Sequence, residues 1–279
     1  MDTSNHAMQQ RLSELDALDT VSAFGRAFYR LIAGVVAVVE GGEAVRVALA
    51  GLLEVELRYH HELEELSTLE QVGLGDLQAA AERHRVGLHA VCEYARRLER
   101  LELLAEAARD LIVAECNYHL RKTSGVVAAL ERVVALGLDQ PLVQFALGYN
   151  RYLLALETCT TPGAGEQERV LHDPAAFRVQ CLRAVSALEE GLQDTELDSQ
   201  LYWWIGTVLE AAGLTDAAQD AYDKCADLLQ AAQTSWEAGH EQHSPVPRAI
   251  TDKEVAQAGE LLEGPVDLTA LTGREQDDR

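Results

Sequence analysis

Among the histidine and glutamate pairs that stand four residues apart in this chain are His61 with Glu65 (His60 adjoining), His89 with Glu93, and Glu115 with His119. On a helix that spacing puts both side chains on one face, where an imidazole nitrogen and a carboxylate oxygen can share a transition-metal ion. Metal binding within an N-terminal helical bundle is therefore one chemistry open to the sequence. His84 falls on an apolar stripe and reads as a satisfied core histidine rather than a ligand. Covalent catalysis finds no footing. The chain has no Gly-x-Ser-x-Gly elbow, no phosphate-binding glycine loop, and no cysteine in a context that would lower its pKa. The expectation is a non-enzymatic protein, with no catalytic residue, cofactor or metal ligand assigned.

The remaining chemistry concerns partners and compartment. Lys and Arg total 23 against 46 Asp and Glu, a formal charge of −23. Such a surface repels nucleic-acid phosphate and anionic membrane, whose affinity depends on basic side chains. Cys92, Cys116, Cys159, Cys181 and Cys225 are odd in number, widely spaced and form no Cys-x-x-Cys pair. Neither a disulfide framework nor a zinc site is expected, and free thiols suit the cytoplasm. The polar opening MDTSNHAMQQ carries no signal-peptide pattern. The most apolar stretch, Leu31 to Val39, falls well short of the roughly 20 residues that a membrane span requires.

The elements that would position these groups are helices. Apolar residues make up 48% and aromatics only 5%, and none of the six prolines precedes Pro141. Ala, Leu and Glu lose little side-chain freedom on a helix, so the expected class is all-α. A first helix is expected over about 4–18, with Leu12, Leu15 and Leu18 on one side. A second runs to about Val39 and carries Val21, Phe24, Phe28, Leu31, Val35 and Val39 at three- and four-residue steps. Its end is apolar nearly all round, which places it inside a bundle or against a partner, including a second copy of the chain. A third helix is expected over about 43–71. From Asp76, Leu77, Ala81, His84, Leu88, Val91, Ala95 and Leu98 keep a heptad step. Gly87 interrupts it, so 76–106 reads as one bent helix or as a hairpin.

The stretch LYWWIGTVLEAAGLTDAAQDAYDKCADLLQ, Leu201 to Gln230, carries a family resemblance. It reads as two helices joined at Gly213-Leu214-Thr215-Asp216. Gly206, Ala218 and Cys225 are small where the helices must touch, and Ile205, Leu209, Tyr222 and Leu228 supply bulk. This pattern resembles the tetratricopeptide (TPR) repeat. Similar spacing recurs in Leu147-Gly148 with Ala184, Leu188 and Gly191, and again in Ala114, Val126 and Val133 with Leu111, Val113 and Leu130. The resemblance covers roughly 107–232, with an insertion at about 157–177 where the family has a tight turn.

The resemblance implies a short α-solenoid whose first helices line a concave, partner-binding face. Carried onto this chain, that face has Leu111, Glu115 and Tyr118, then Phe145, Tyr149 and Tyr152, then Trp203, Thr207 and Glu210. Its implied ligand is a peptide or helix of another protein. The Lys and Asn pattern by which co-chaperone members clamp a C-terminal carboxylate is not evident. The expected organisation is an N-terminal helical region (1–75), TPR-like hairpins (76–232), and a linker, capping helix and tail (233–279). Thr251 and Glu254 form the capping box of that last helix, with Val255, Ala258, Leu261 and Leu262 on one face. Two alternatives accompany the adaptor reading. The histidine–glutamate pairs resemble hemerythrin-like bundles, implying a metal-binding bundle fused to a TPR platform. The architecture is also similar to that of bacterial peptide-sensing regulators.

Overall fold

A computed structural model describes residues 3–39, 42–68, 72–98, 101–162, 169–193, 195 and 197–241. The described residues are all-α apart from one short ribbon. In order come α1 (Thr3–Ala17), α2 (Ala23–Val38), α3 (Glu43–Ser67), α4 (Leu74–Arg96), α5 (Leu103–His119), α6 (Thr123–Ala135) and α7 (Pro141–Cys159). The ribbon β1 (Thr160–Pro162) and β2 (Arg169–Leu171) follows, then α8 (Pro174–Glu190), α9 (Asp198–Ala211) and α10 (Thr215–Glu241). No helix among the described residues is long and apolar enough to cross a membrane. The linker, capping helix and tail expected beyond 241 lie outside the described residues.

The chain divides into two units, Met1–Arg151 and Tyr152–Arg279. In the first, α3 is the central helix and packs against α1, α2, α4 and α5. It reaches them because Val45, Ala48, Leu49, Leu52, Leu53 and Leu57 fill one broad buried stripe. Residues 74–96 form one helix, which settles the sequence alternative. Gly87 serves there as a contact point: a Cβ would lie 2.9 Å from Val55 Cγ2, so the glycine lets α4 approach α3 closely. The heptad stripe holds for Leu88, Val91 and Ala95 but not at its start, where Leu77 is exposed and Ala80 is buried instead. Helix α2 packs on α1, α3 and α5. Its buried Phe28, Tyr29, Ile32, Val35 and Val36 account for the apolar pattern within the same chain.

The hairpin of α5 and α6 is closed by apolar burial of Leu111, Ala114, Val126, Leu130 and Val133. Asp110 adds a fixed polar link across it, accepting from Arg132 Nε at 2.9 Å and Nη2 at 3.3 Å.

In the second unit, the insertion expected at 157–177 contains the antiparallel ribbon, with Thr160 opposite Leu171 and Thr161 opposite Val170. Asp173 then caps α8, its side chain accepting from the Ala176 amide at 3.0 Å, with Pro174 at the first helical position. Helices α8 and α9 pack together, and α9 forms a hairpin with α10. At their crossing a Cβ on Gly206 would stand 2.5 Å from Tyr222 Cε1, and Ala218 and Cys225 are buried nearby in sequence. Leu228, expected to pack, is 39% exposed. All five cysteines are buried and free.

Candidate functional site

The nine residues expected on a partner face separate by burial. In the first unit Leu111, Glu115 and Phe145 lie in the core instead of on a free surface. The covering element is α2, which packs on α5 and sets the Phe24 ring 5.3 Å from that of Phe145. Tyr118 is 44% exposed, and Tyr149 is half-buried with its ring stacked on Phe145. In the second unit Tyr152, Trp203 and Thr207 are half-buried and Glu210 is exposed.

Trp203, Thr207 and Glu210 follow one another along one side of α9. The Trp203 ring rests 5.2 Å from that of Tyr222, and the Tyr222 hydroxyl donates to Glu210 at 3.0 Å. Because Tyr222 also sits on Gly206, this aromatic pair is anchored from below while one edge meets solvent.

A second group of polar residues lies inside the first unit. Glu56 on α3 has no exposed surface. Its Oε1 accepts from His84 Nε2 on α4 at 2.7 Å. Its Oε2 lies 3.6 Å from His60 Nε2 and 3.8 Å from His119 Nε2 on α5, and makes no hydrogen bond. His119 Nε2 is 3.0 Å from Glu115 Oε1 and 3.1 Å from the Tyr29 hydroxyl on α2. Two imidazoles are held by further contacts. His60 Nδ1 meets Thr20 Oγ1 at 2.9 Å, and Tyr59 stacks on His84 with centroids 4.0 Å apart.

The electrostatics follow from this crowding. Burial opposes ionisation of Glu56, yet the charge of His119 and the contacts of His60 and His84 hold its pKa far below the usual carboxylate range. Burial likewise opposes the charge on His119. The attraction of Glu56 and the hydrogen bond to Glu115 prevail, raising its pKa to about 9. Burial, then the neighbouring Glu115 and Glu56, push Tyr29 well above its normal value, so its hydroxyl stays neutral.

Of the three expected histidine–glutamate pairs, only Glu115 and His119 meet within this cluster. Glu93 pairs with Arg96 and Arg97, while His61 and Glu65 are exposed. Glu56 and its pairing with His60 went unassigned in the sequence, although that pair has the same four-residue spacing as Glu115 and His119. Among the described residues, no group of three or more His, Cys, Asp or Glu side chains stands in a geometry that holds a metal ion. A cavity of about 140 Å³ lined by Ala7, Met8, Arg11, Glu43, Arg46, Val47 and Ala50 is well below the roughly 300 Å³ at which ligand pockets begin.

Comparison of the chain with protein-family models, curated proteins and solved structures found no match.

Proposed function

We propose that this chain is a non-enzymatic adaptor that holds a peptide or helix of a partner protein against the first helices of TPR-like hairpins. The observation that carries the reading is the ridge Trp203, Thr207 and Glu210 on α9. Its indole is braced by Tyr222 and bordered by an exposed carboxylate. An anchored aromatic ring beside a polar rim loses little freedom on binding and buries a large area, which is the character of interface hot spots.

The repeat pattern lends support. Helices α5, α6 and α9 each end in the same turn, and Gly206 provides the close approach that the repeat assigns to a small residue. The partner face is narrower than the sequence alone suggested. It comprises the α9 ridge, with Tyr152 as a further contact on α7 within the second unit. A strongly acidic chain draws basic partners to itself, so the ligand segment is expected to carry Lys or Arg beside an apolar anchor.

The test compares affinity-purified wild type with Trp203→Glu in the same lysate, both checked for helicity by circular dichroism. A partner held at fixed stoichiometry by the wild type and lost by the variant is the expected result. The same partner held equally by both would remove α9 from the interface.

A further inference from the structure

Two cysteines of the first unit are buried where α4 packs across the end of α5. Cys92 belongs to the stripe Leu88, Val91, Cys92 and Ala95 that α4 buries, and Cys116 lies near the end of α5 with no exposed surface. Two contacts bracket the crossing. The His84 and His119 rings meet with centroids 5.6 Å apart, and Arg96 Nη2 donates to Asn117 Oδ1 at 3.2 Å. Cys92 falls between His84 and Arg96 along α4, which brings it down beside Cys116, the neighbour of Asn117. The two thiols are hydrogen-bonded to each other there. Packed helix axes run about 8–10 Å apart with Cα atoms about 2.3 Å off each axis, so facing Cα atoms stand about 3.5–5.5 Å apart. That range overlaps the roughly 4.4–6.8 Å that a disulfide spans.

The surroundings give the two sulfurs different roles. The hydrogen bond from Cys116, aided by the charges of Arg96 and Lys122, holds Cys92 below the ordinary thiol value. Burial and Glu93 oppose that effect without cancelling it. Cys116 shows the converse: its bond to Cys92, then burial, then the charges of Cys92, Glu115 and Glu56 keep its proton in place. This context was not legible in the sequence, because the second thiol stands on the next helix. In the second unit, Cys181 is pushed up to about 12 by burial and then by Cys159, and it stays a thiol.

We propose that Cys92 and Cys116 are a redox-sensitive dithiol, which a hydroperoxide converts to a disulfide tying α4 to α5. The Cys92 thiolate attacks one peroxide oxygen and the O–O bond breaks. A sulfenic acid forms on Cys92, and the far oxygen takes up a proton and leaves as water. The Cys116 sulfur then attacks the Cys92 sulfur, and the S–O bond breaks as the S–S bond forms. The hydroxyl departs with the Cys116 proton as a second water. The two thiols thus lose two electrons and two protons, and hydrogen peroxide is reduced to two waters. Cys92 lies one turn from the end of α4, where local opening admits a molecule little larger than water. The pair is independent of the partner face on α9, which belongs to the other unit.

The test treats reduced, full-length protein with hydrogen peroxide under native conditions and maps its peptides by mass spectrometry without reduction. A linked Cys92–Cys116 peptide, two hydrogens lighter than its parts, is expected, and a thiol reductant should return it to free thiols. Cys116→Ser should stop at a sulfenic acid on Cys92 that dimedone traps. Cys159→Ser, in the other unit, should form the Cys92–Cys116 link as the wild type does. If a serine variant fails to fold, the wild-type map decides alone. The proposal is overturned if native wild type gives no such peptide while the urea-unfolded chain oxidises, or if the native linkage joins other cysteines. A folded Cys116→Ser whose dimedone label falls elsewhere than Cys92 would overturn it as well.

Discussion

Gly206 and Glu56 are the residues on which the two units depend most visibly, for opposite reasons. Gly206 matters because it has no side chain. With a Cβ 2.5 Å from the Tyr222 ring, Gly206→Ala forces the α9–α10 hairpin apart and should cost roughly 1–3 kcal/mol in chemical denaturation. Glu56 matters because its charge holds three imidazoles, and Glu56→Gln leaves His119 facing Glu115 alone. A loss of about 3 kcal/mol is expected from breaking a buried pair of this kind, read from the same denaturation curves.

The pH dependence of stability in the first unit follows from His119. Its folded pKa of about 9 exceeds the ordinary histidine value of about 6.5, so its stabilising contribution is complete below about pH 6.5. That contribution declines as pH rises through 9. A quarter of the side chain is exposed, and with that screening the effect is about 2 kcal/mol. Denaturant midpoints measured from pH 6 to pH 10 should fall across that window in wild type and much less in His119→Gln.

Helix ends explain why the hairpins could be read from the sequence while the cluster could not. Helices α5, α6 and α9 close with one hydrogen-bond pattern: Lys122 N to Asn117 O, Leu138 N to Val133 O, and Leu214 N to Leu209 O. The residue just before each of those donors takes positive φ: Arg121 at 54°, Gly137 at 85° and Gly213 at 75°. Arg121 alone pays a steric penalty there, so Arg121→Gly should stabilise the first unit by about 0.5–1 kcal/mol, while Gly213→Ala should destabilise the second by about 1 kcal/mol. Thermal unfolding of the two variants checks both signs. Such turns, like the Gly206 approach, are local in sequence, and their spacing gave the hairpins away. Burial of Leu111, Glu115 and Phe145 was not legible, because α2, which covers them, lies some distance back in the chain. His84 and Glu56 are likewise 28 residues apart, and only the packing of α4 on α3 brings them together. The Glu56–His60 spacing was visible, but nothing local marked Glu56 as buried.

The molecule as a whole combines an acidic surface, an all-α fold and two units with different chemical content. The first encloses a charged, histidine-rich centre, and the second presents an aromatic ridge. The adaptor reading rests on that ridge, and its most direct test is the amount of partner retained by Trp203→Glu relative to wild type. Removal of one hot-spot side chain costs about 2 kcal/mol or more, roughly 30-fold in affinity. The account predicts a helical, folded variant whose retained partner falls by about that factor, while Tyr94→Glu, at an exposed site on α4, keeps the wild-type amount. A folded Trp203→Glu that retains the same partner at the wild-type stoichiometry would contradict it.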